Sequence, residues 1–428
     1  MTMKTTACES DRLVRFTPKP HFLTRLAERA VRHRLQQLRH GTVILRDGVH
    51  IDRYGAGAQS HPATVTLSVH DARFYSEMAF GGSIGAAEAY MKGYWSVDDL
   101  TVLLQIVLRN RDMLDGMETG WARLAEPFQK ALHWMARNSR EGSRRNIEAH
   151  YDLGNDFFQL FLDPTMMYSS AVFERPGMTL EEGSVAKLDR ICRKLALKPG
   201  DRVMEIGTGW GGFAMHAARA YGCHVTTTTI SPSQHEFARR RIEAAGLQDR
   251  ITLLLADYRD LTGQYDRLVS IEMIEAVGHQ YYDDYFRKCS DLLLPDGAML
   301  LQAITIADQR YEAAKNSVDF IQRYIFPGSC IPSVAAISDA VARVTNLRLF
   351  HLEDIGPDYA TTLRCWRGNF HRNLDQVRAL GYPQEFIRMW EFYLCYCEAG
   401  FIERVIGDAQ LLLVKPQARP QPVLSVAA

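Results

Sequence analysis

The residues most able to do chemistry in this 428-residue chain lie in a glycine-rich run, Glu205-Ile-Gly207-Thr-Gly209-Trp-Gly211-Gly212. Glycines at that spacing let the backbone turn sharply and let a ligand approach it closely. The run satisfies G-x-G-x-G, and through Gly212 it also satisfies the dinucleotide pattern G-x-G-x-x-G. A dinucleotide site wants an acid roughly 20 residues further on to hold the ribose hydroxyl. Here the next apolar stretch ends in Thr226-Thr-Thr-Thr-Ile-Ser, and the next acid, Glu236, falls inside the following helix, so a nicotinamide dinucleotide is disfavoured. A nucleoside with a cationic amino-acid tail fits better. Glu205 can pair with an ammonium group. Asp257-Tyr258, at the end of a later strand, offers an acceptor for adenine and a ring to pack against it. Together these are the parts of an S-adenosylmethionine site. A glycine turn that only packs a helix on a sheet is the plain alternative.

The elements that must position these residues alternate. Asp201–Gly207 reads as a strand, followed by a helix to about Tyr221, a strand at His224–Ile230, and a helix from Pro232 to about Ala245. Ile251–Asp257 and Tyr265–Met273 read as strands, 281–294 as a helix, and Gly297–Ile306 as a strongly apolar strand. Such alternation predicts an α/β fold, a doubly wound, mostly parallel seven-stranded sheet. Residues 307–345 read as a helical insertion, and Leu347–Ile355 and Gln410–Lys415 as the last two strands. A smaller α/β N-terminal domain precedes this, with strands across 41–75 and helices across 76–115 turned at Gly81-Gly82 and Gly93. The domain reading is 1–125 for the N-terminal domain, 126–149 for a basic connector, 150–416 for the domain that carries the S-adenosylmethionine turn and 417–428 for a tail.

Composition is that of an ordinary globular protein, 46% hydrophobic and 23% charged. Fifty basic residues balance fifty acidic ones, which leaves no whole-protein field for nucleic acid. The balance is uneven, since residues 1–40 hold nine basic residues against three acidic. A helix expected at 21–39 places Leu23, Leu26, Ala30, Val31 and Leu35 among arginines, and the connector places Arg140, Arg144 and Arg145 near Trp134 and Met135. Both read either as solvated helices or as contacts with a membrane surface. Eight scattered cysteines, with Cys395 and Cys397 spaced C-Y-C, read as free thiols of a reducing compartment. No run approaches the roughly 18 apolar residues of a spanning helix. The first residues lack the apolar segment of a secretory leader. Neither His150 nor His279 has a partner at metal spacing, so no metal is expected.

Longer motifs narrow the reading. They are His150-Tyr-Asp-Leu-Gly-Asn-Asp-Phe-Phe, Met167-Tyr-Ser-Ser-Ala, Ile271-Glu-Met-Ile-Glu-Ala-Val-Gly-His, Asp319-Phe-Ile-Gln-Arg-Tyr-Ile-Phe-Pro-Gly and Tyr396-Cys-Glu-Ala-Gly-Phe. With Gly82-Ser-Ile-Gly-Ala-Ala-Glu-Ala-Tyr-Met-Lys-Gly-Tyr-Trp, they make the chain resemble the cyclopropane-fatty-acyl-phospholipid synthases over about residues 60–416. The resemblance implies methyl transfer from S-adenosylmethionine to a cis double bond of a membrane phospholipid's acyl chain, then proton removal that closes a cyclopropane. It implies that Tyr168, Ser169, Gly207, Thr229, Gln234, Asp257, Tyr258 and Ile271 line the cofactor, beside Glu205 and Gly209 of the turn. It implies a bicarbonate ion held by Ser170, Glu275, Gln302, Tyr359 and the backbone of Ile304, with Cys397 nearby. Position 170 is commonly cysteine in the family, and position 302 is often histidine. Serine and glutamine can both donate to an anion. The departures therefore bear on ring closure and leave the fold and methyl transfer untouched.

The chemistry explains these residue types. An alkene is a poor nucleophile and must be held in line with the donor methyl, a matter of orientation worth about 7–11 kcal/mol. The carbocation that follows wants aromatic faces, worth about 2 kcal/mol or more when water is excluded. Tyr281, Tyr282, Tyr324 and above all Tyr359 are the candidates. A base then removes a proton. Loss from the added methyl closes the ring, whereas loss from an adjacent chain carbon, or from the methyl with alkene formation after a hydride shift, gives a methyl-branched or methylene acid. A non-catalytic lipid-binding protein and a small-molecule methyltransferase are the more distant alternatives. A phospholipid substrate without a spanning helix implies a cytoplasmic protein bound peripherally to the inner face of the membrane, and the family pattern allows a homodimer.

Overall fold

The computed structural model describes residues 22–55, 63–111 and 153–421. The basic connector, with Arg140, Arg144 and Arg145, and the motif residue His150 lie outside them.

The N-terminal part comprises α1 (Phe22–Leu35), β1 (Thr42–Asp47), β2 (His50–Tyr54), β3 (Thr64–Val69), α2 (Arg73–Met91), β4 (Trp95–Val97) and α3 (Leu100–Arg109). Its sheet runs β2-β1-β3-β4, with β1 and β3 parallel and the outer pairs antiparallel. Val43, Leu45, Val65 and Leu67 point to the buried face, as the two-residue period of a strand requires. The apolar stripe expected on α1 is only partly used. Ala27 and Val31 are buried, but Leu23 and Leu26 are 60% and 54% exposed. The helix is instead rotated so that Arg32 faces inward, where it binds Glu28 at 2.8 Å and Asp52 at 2.5 Å. In α2 the expected glycine turn is present: Gly82 has φ 57° and breaks the helical path.

The larger part comprises α4 (Asn155–Gln159), α5 (Leu180–Lys194), β5 (Arg202–Ile206), α6 (Gly212–Tyr221), β6 (His224–Thr229), α7 (Pro232–Ala244), β7 (Ile251–Leu255) and β8 (Tyr265–Ile271). It continues with α8 (Tyr282–Asp291), β9 (Leu293–Ile306), α9 (Asp308–Ala314), α10 (Phe320–Tyr324), α11 (Val334–Val344) and β10 (Arg348–Asp354). It ends with α12 (Gly356–Arg372), α13 (Leu374–Ala379), α14 (Gln384–Ile402) and β11 (Ile406–Val414). The seven strands are ordered β10-β11-β9-β8-β5-β6-β7. All pairs are parallel except those made by β11, which runs against both β9 and β10. Alternate residues feed two cores. Met204, Leu268 and Leu301 pack on α8 and α11 through Phe286, Ile337 and Val341. Val203, Val269 and Leu300 pack on α5 and α6 through Leu188, Ile191, Phe213 and Ala217.

Local chemistry sets the element ends. Ser231 caps α7 by accepting the Gln234 N–H, and Pro232 occupies the first turn, where its missing N–H costs nothing. Thr179 and Glu182 form a reciprocal capping box on α5, as Asp319 and Gln322 do on α10. Two expectations shift. The helical insertion stops before α11, which flanks the sheet with Ile337 and Val341 buried. β8 stops at Ile271 and does not run on to Met273, because Glu272 takes a left-handed backbone with φ 48°.

A third core joins the two parts. Phe74, Tyr90 and Trp95 belong to the same apolar cluster as Phe157, Phe161, Trp366 and Trp390. Polar contacts reinforce the seam with α14: Tyr90 donates to Glu391 at 2.9 Å, and Gln105 and Arg109 both bind Glu403. No helix among the described residues is long and apolar enough to cross a membrane.

Candidate active site

β5 and β8 are neighbours, with Ile206 opposite Ser270, so the loops leaving their carboxyl ends start side by side. This is where the strand order reverses, the usual ligand-binding crevice of a doubly wound sheet. A cavity of about 930 Å³ opens there. Its walls include the glycine turn, the segment after β8 and aromatic residues of α12 and α14. From the N-terminal part, Phe80–Ile84 at the kink of α2 complete it.

All ten residues expected around the cofactor line this cavity: Tyr168, Ser169, Glu205, Gly207, Gly209, Thr229, Gln234, Asp257, Tyr258 and Ile271. The turn needs its glycines for two different reasons. Gly207 has φ 102°, which disfavours any side chain. At Gly212 a Cβ would stand 2.5 Å from the Met167 sulfur and 2.8 Å from the Thr165 carbonyl, so only glycine lets α6 begin there.

Glu205 closes one end of the turn. It is 2% exposed and accepts a 2.6 Å hydrogen bond from the Thr227 hydroxyl. Burial pushes its carboxyl up to about 8, against the opposing pull of Thr227 and Lys187. Thr229 donates to Gln234 at 3.0 Å and fixes that side chain beside the turn. Asp257 is held bidentately by Arg259 at 2.8 Å, and the Arg259 guanidinium lies 5.4 Å over the Tyr258 ring. Ser169 accepts from the ammonium of Lys187 at 2.7 Å. A buried acid beside an open glycine turn, with a carboxylate and an aromatic ring at the end of β7, fits S-adenosylmethionine: an anion for its ammonium, a close backbone for its tail and an acceptor for its base.

The other expected group does not fit. Bicarbonate was to be held by Ser170, Glu275, Gln302, Tyr359 and the Ile304 backbone. Three of these meet another residue, Glu272. Its Oε1 accepts from the Ser170 N–H at 2.9 Å and the Gln302 amide at 2.8 Å, and its Oε2 accepts from the Tyr359 hydroxyl at 2.7 Å. The Ser170 hydroxyl is turned to the Ala171 carbonyl at 2.9 Å, away from the place expected of it. The Ile304 N–H donates to Glu275 Oε1 at 2.6 Å. A carboxylate of the chain's own thus consumes the donors that were assigned to the ion. Ser170 and Gln302 sit in the wall behind Glu272. Glu272, Glu275, Ile304, Tyr359 and Cys397 line the cavity itself.

The half-buried Glu272 and Glu275 and the buried Asp408 crowd one region. The Gln302 amide bridges Glu272 to Asp408 at 2.9 Å, and Gln410 donates to Gln302 at 3.0 Å from the next strand. Burial, then the Glu272 charge, raises Asp408 well above the ordinary carboxylate range. The same two causes raise Glu275 to about 8. Burial raises Glu272 too, but there Tyr359, the Lys187 charge, Ser170 and Gln302 all pull the other way. Glu272 is therefore the carboxyl of the three best supplied with groups that favour its anion. Lys187 is fully buried beneath the site, and burial drives its ammonium down to about 8.

The aromatic candidates separate. Tyr359 lines the cavity and stacks on Phe401 with centroids 4.4 Å apart. Tyr282 donates instead to the Cys330 carbonyl and Tyr324 to Glu88, and neither lines the cavity, nor does Tyr281. Tyr168, Tyr393, Tyr396 and Phe401 take their place, the first two joined through their hydroxyls at 2.9 Å. The Cys397 thiol is pushed up by burial and by Asp319, as suits an apolar packing residue.

Comparison with known proteins is consistent with this geometry. A family model described as mycolic acid cyclopropane synthetase matches residues 138–411. Tuberculostearic acid methyltransferase UfaA1 of Mycobacterium tuberculosis is 38% identical over 418 residues, 96% of either chain. The cyclopropane-fatty-acyl-phospholipid synthase of Escherichia coli is 37% identical over 354 residues, 81% of this chain and 86% of that one. Among solved structures, mycolic acid cyclopropane synthase CmaA1 complexed with SAH and CTAB superposes with a TM-score of 0.59 at 33% identity. It covers 64% of this chain and 98% of that one.

Proposed function

The chain belongs to the mycolic acid cyclopropane synthetase family and is an S-adenosylmethionine-dependent methyltransferase, and from that premise we propose that it methylates a cis double bond in an acyl chain of a membrane phospholipid and closes a cyclopropane. One observation carries this reading: the cofactor-shaped wall and the donor-held Glu272 carboxylate face the same cavity, which is largely lined by apolar and aromatic side chains. When bound, S-adenosylmethionine supplies an electrophilic methyl group. Glu205 holds its ammonium, and Asp257 with Tyr258 holds its base. Tyr168, Tyr359 and Phe401 exclude water from the alkene and face the positive charge that develops on it. The substrate class is supported by the similarity to the cyclopropane-fatty-acyl-phospholipid synthase of Escherichia coli. Peripheral binding at the membrane is supported by α1, which exposes Phe22, Leu23 and Leu26 beside the exposed Arg25 and Arg29.

A second reading ends in a methyl-branched or methylene acid. It is favoured by the similarity to tuberculostearic acid methyltransferase UfaA1, which extends over nearly the whole chain. The two are separated by mass spectrometry of fatty acids from cells that lack their own synthase, express this chain and are fed methionine with a trideuterated methyl. A cyclopropane keeps two of the three deuterons in its ring carbon and resists hydrogenation conditions that saturate alkenes. A methyl-branched alkene formed by loss of a chain proton keeps all three deuterons; a methylene acid keeps two and is readily hydrogenated, and a saturated methyl branch made by its reduction keeps two but is two hydrogens heavier than the cyclopropane. Absence of labelled lipid, with the protein folded and cofactor bound, would overturn the lipid reading.

A further inference from the structure

We infer that Glu272 is the catalytic base of the second half-reaction and that it takes the place of a dissociable bicarbonate ion in this chain. The inference rests on the proposed lipid methylation. Its ground is geometric. The Ser170 N–H, the Gln302 amide and the Tyr359 hydroxyl converge on one carboxylate from three separate segments, and that carboxylate lines the cavity. Donors so placed fix an anion where a proton is to be collected.

The backbone makes the same point independently. Glu272 has φ 48°, a left-handed conformation that few residues other than glycine adopt readily. Its own N–H donates to the Gln302 carbonyl at 2.8 Å, which ties the strained residue to β9. Strain of this kind persists where the surroundings over-determine it, and it concentrates at functional sites. A glutamate that served only to fill space would carry the same strain without the three donors.

In the step itself, the donor methyl has become bonded to one former alkene carbon, leaving positive charge on the other. Glu272 accepts a proton from the added methyl. The electron pair of that C–H bond forms the third side of the ring, and the proton leaves the carboxyl for solvent after product release. No further reactant is needed. Asp408 and Gln302 act as positioning residues, holding the carboxylate from behind.

Glu272→Gly tests this, because glycine suits the backbone angle and leaves a carboxylate-sized gap with its donors intact. Wild-type turnover in carbon dioxide-free buffer is expected to be unchanged by added bicarbonate. The variant is expected to lose about 1,000-fold in turnover, within the usual range for a proton-transfer group. Its affinity for S-adenosylhomocysteine by calorimetry should stay within about threefold, and bicarbonate should restore at least about tenfold of its rate, saturably. Carbon-13 bicarbonate, followed by NMR, should bind the variant and not the wild type, whether or not lipid is turned over. Severalfold stimulation of the wild type by bicarbonate, labelled bicarbonate binding to the wild type, or binding to neither protein would each overturn the replacement. Near-normal turnover of the variant without bicarbonate would remove Glu272 from the chemistry. If the glycine variant fails to fold, the wild-type arms decide alone. A wild type that methylates no lipid but excludes bicarbonate would break the functional reading and leave the assignment of the anion's place standing.

Discussion

Glu205 and Glu272 are two glutamates at the ends of adjacent parallel strands, the first buried and the second half-buried, both facing one cavity, and their surroundings differ. Glu205 has a single side-chain donor, Thr227, and burial holds its carboxyl at about 8. Glu272 has three donors from Ser170, Gln302 and Tyr359. A buried carboxylate with few donors is costly as an anion until a cation arrives. One with three donors has its anion favoured by hydrogen bonds before anything arrives, against the burial that raises its pKa. The difference teaches that burial alone does not define a role. The count of donors separates a group that waits for a charged ligand from one prepared to take a proton.

The contrast can be broken by exchanging each acid for its amide. The largest effect belongs to Glu272→Gln, where turnover should fall by about 1,000-fold while cofactor affinity is kept. Glu275→Gln should cost less, about 10- to 100-fold, because Glu275 already carries a raised pKa and is held by backbone N–H groups, that of Ile304 among them. Equal losses in rapid-quench assays would show that the two carboxyls act as one unit. Glu205→Gln should reverse the pattern, weakening cofactor binding by about 10- to 100-fold, some 1.4–2.7 kcal/mol, with turnover at saturating cofactor largely retained. Isothermal titration would detect this, and a fall in maximal turnover with unchanged affinity would place Glu205 on the wrong side of the comparison.

Smaller effects sharpen it. Tyr359→Phe removes one of the three donors to Glu272 and should lower turnover about tenfold, with the aromatic face retained. The smallest effect is on stability against pH. The folded-state pKa of Glu205 lies above its unfolded value, so the native state holds the extra proton between about pH 5 and pH 8, and stability falls as pH rises through that window. Thermal melts should show Glu205→Gln with a shallower decline than the wild type. An identical slope would mean that the group titrates normally.

The half of the cavity around Glu205 was legible because it is nearly local. The turn after β5, the Thr229–Gln234 pair around the start of α7, and Asp257-Tyr258 after β7 each occupy a few consecutive residues, and the strand order alone brings them together. The half around Glu272 was legible only in part: the family resemblance groups Ser170, Gln302 and Tyr359 but includes neither Glu272 nor Asp408. Ser170, Glu272, Gln302, Tyr359 and Asp408 come from five segments, and no spacing in the chain announces their meeting. Glu272 lies inside a recognised motif, yet reading β8 through to Met273 made it a strand residue. Only its left-handed backbone turns it into the site. Nothing in the sequence of α5 marks the burial of Lys187. The stripe of α1 is buried at Ala27 and Val31 and exposed at Leu23 and Leu26, beside an ion-pair network around Arg32 drawn from β1 and β2.

The most direct test is a crystal structure of the protein with S-adenosylhomocysteine, grown with bicarbonate present. The account predicts the amino group of the ligand on Glu205, and the Glu272 carboxylate still held by the Ser170 N–H, Gln302 and Tyr359, with no separate anion between them. A planar anion on those three donors, with Glu272 swung away from them, would contradict it.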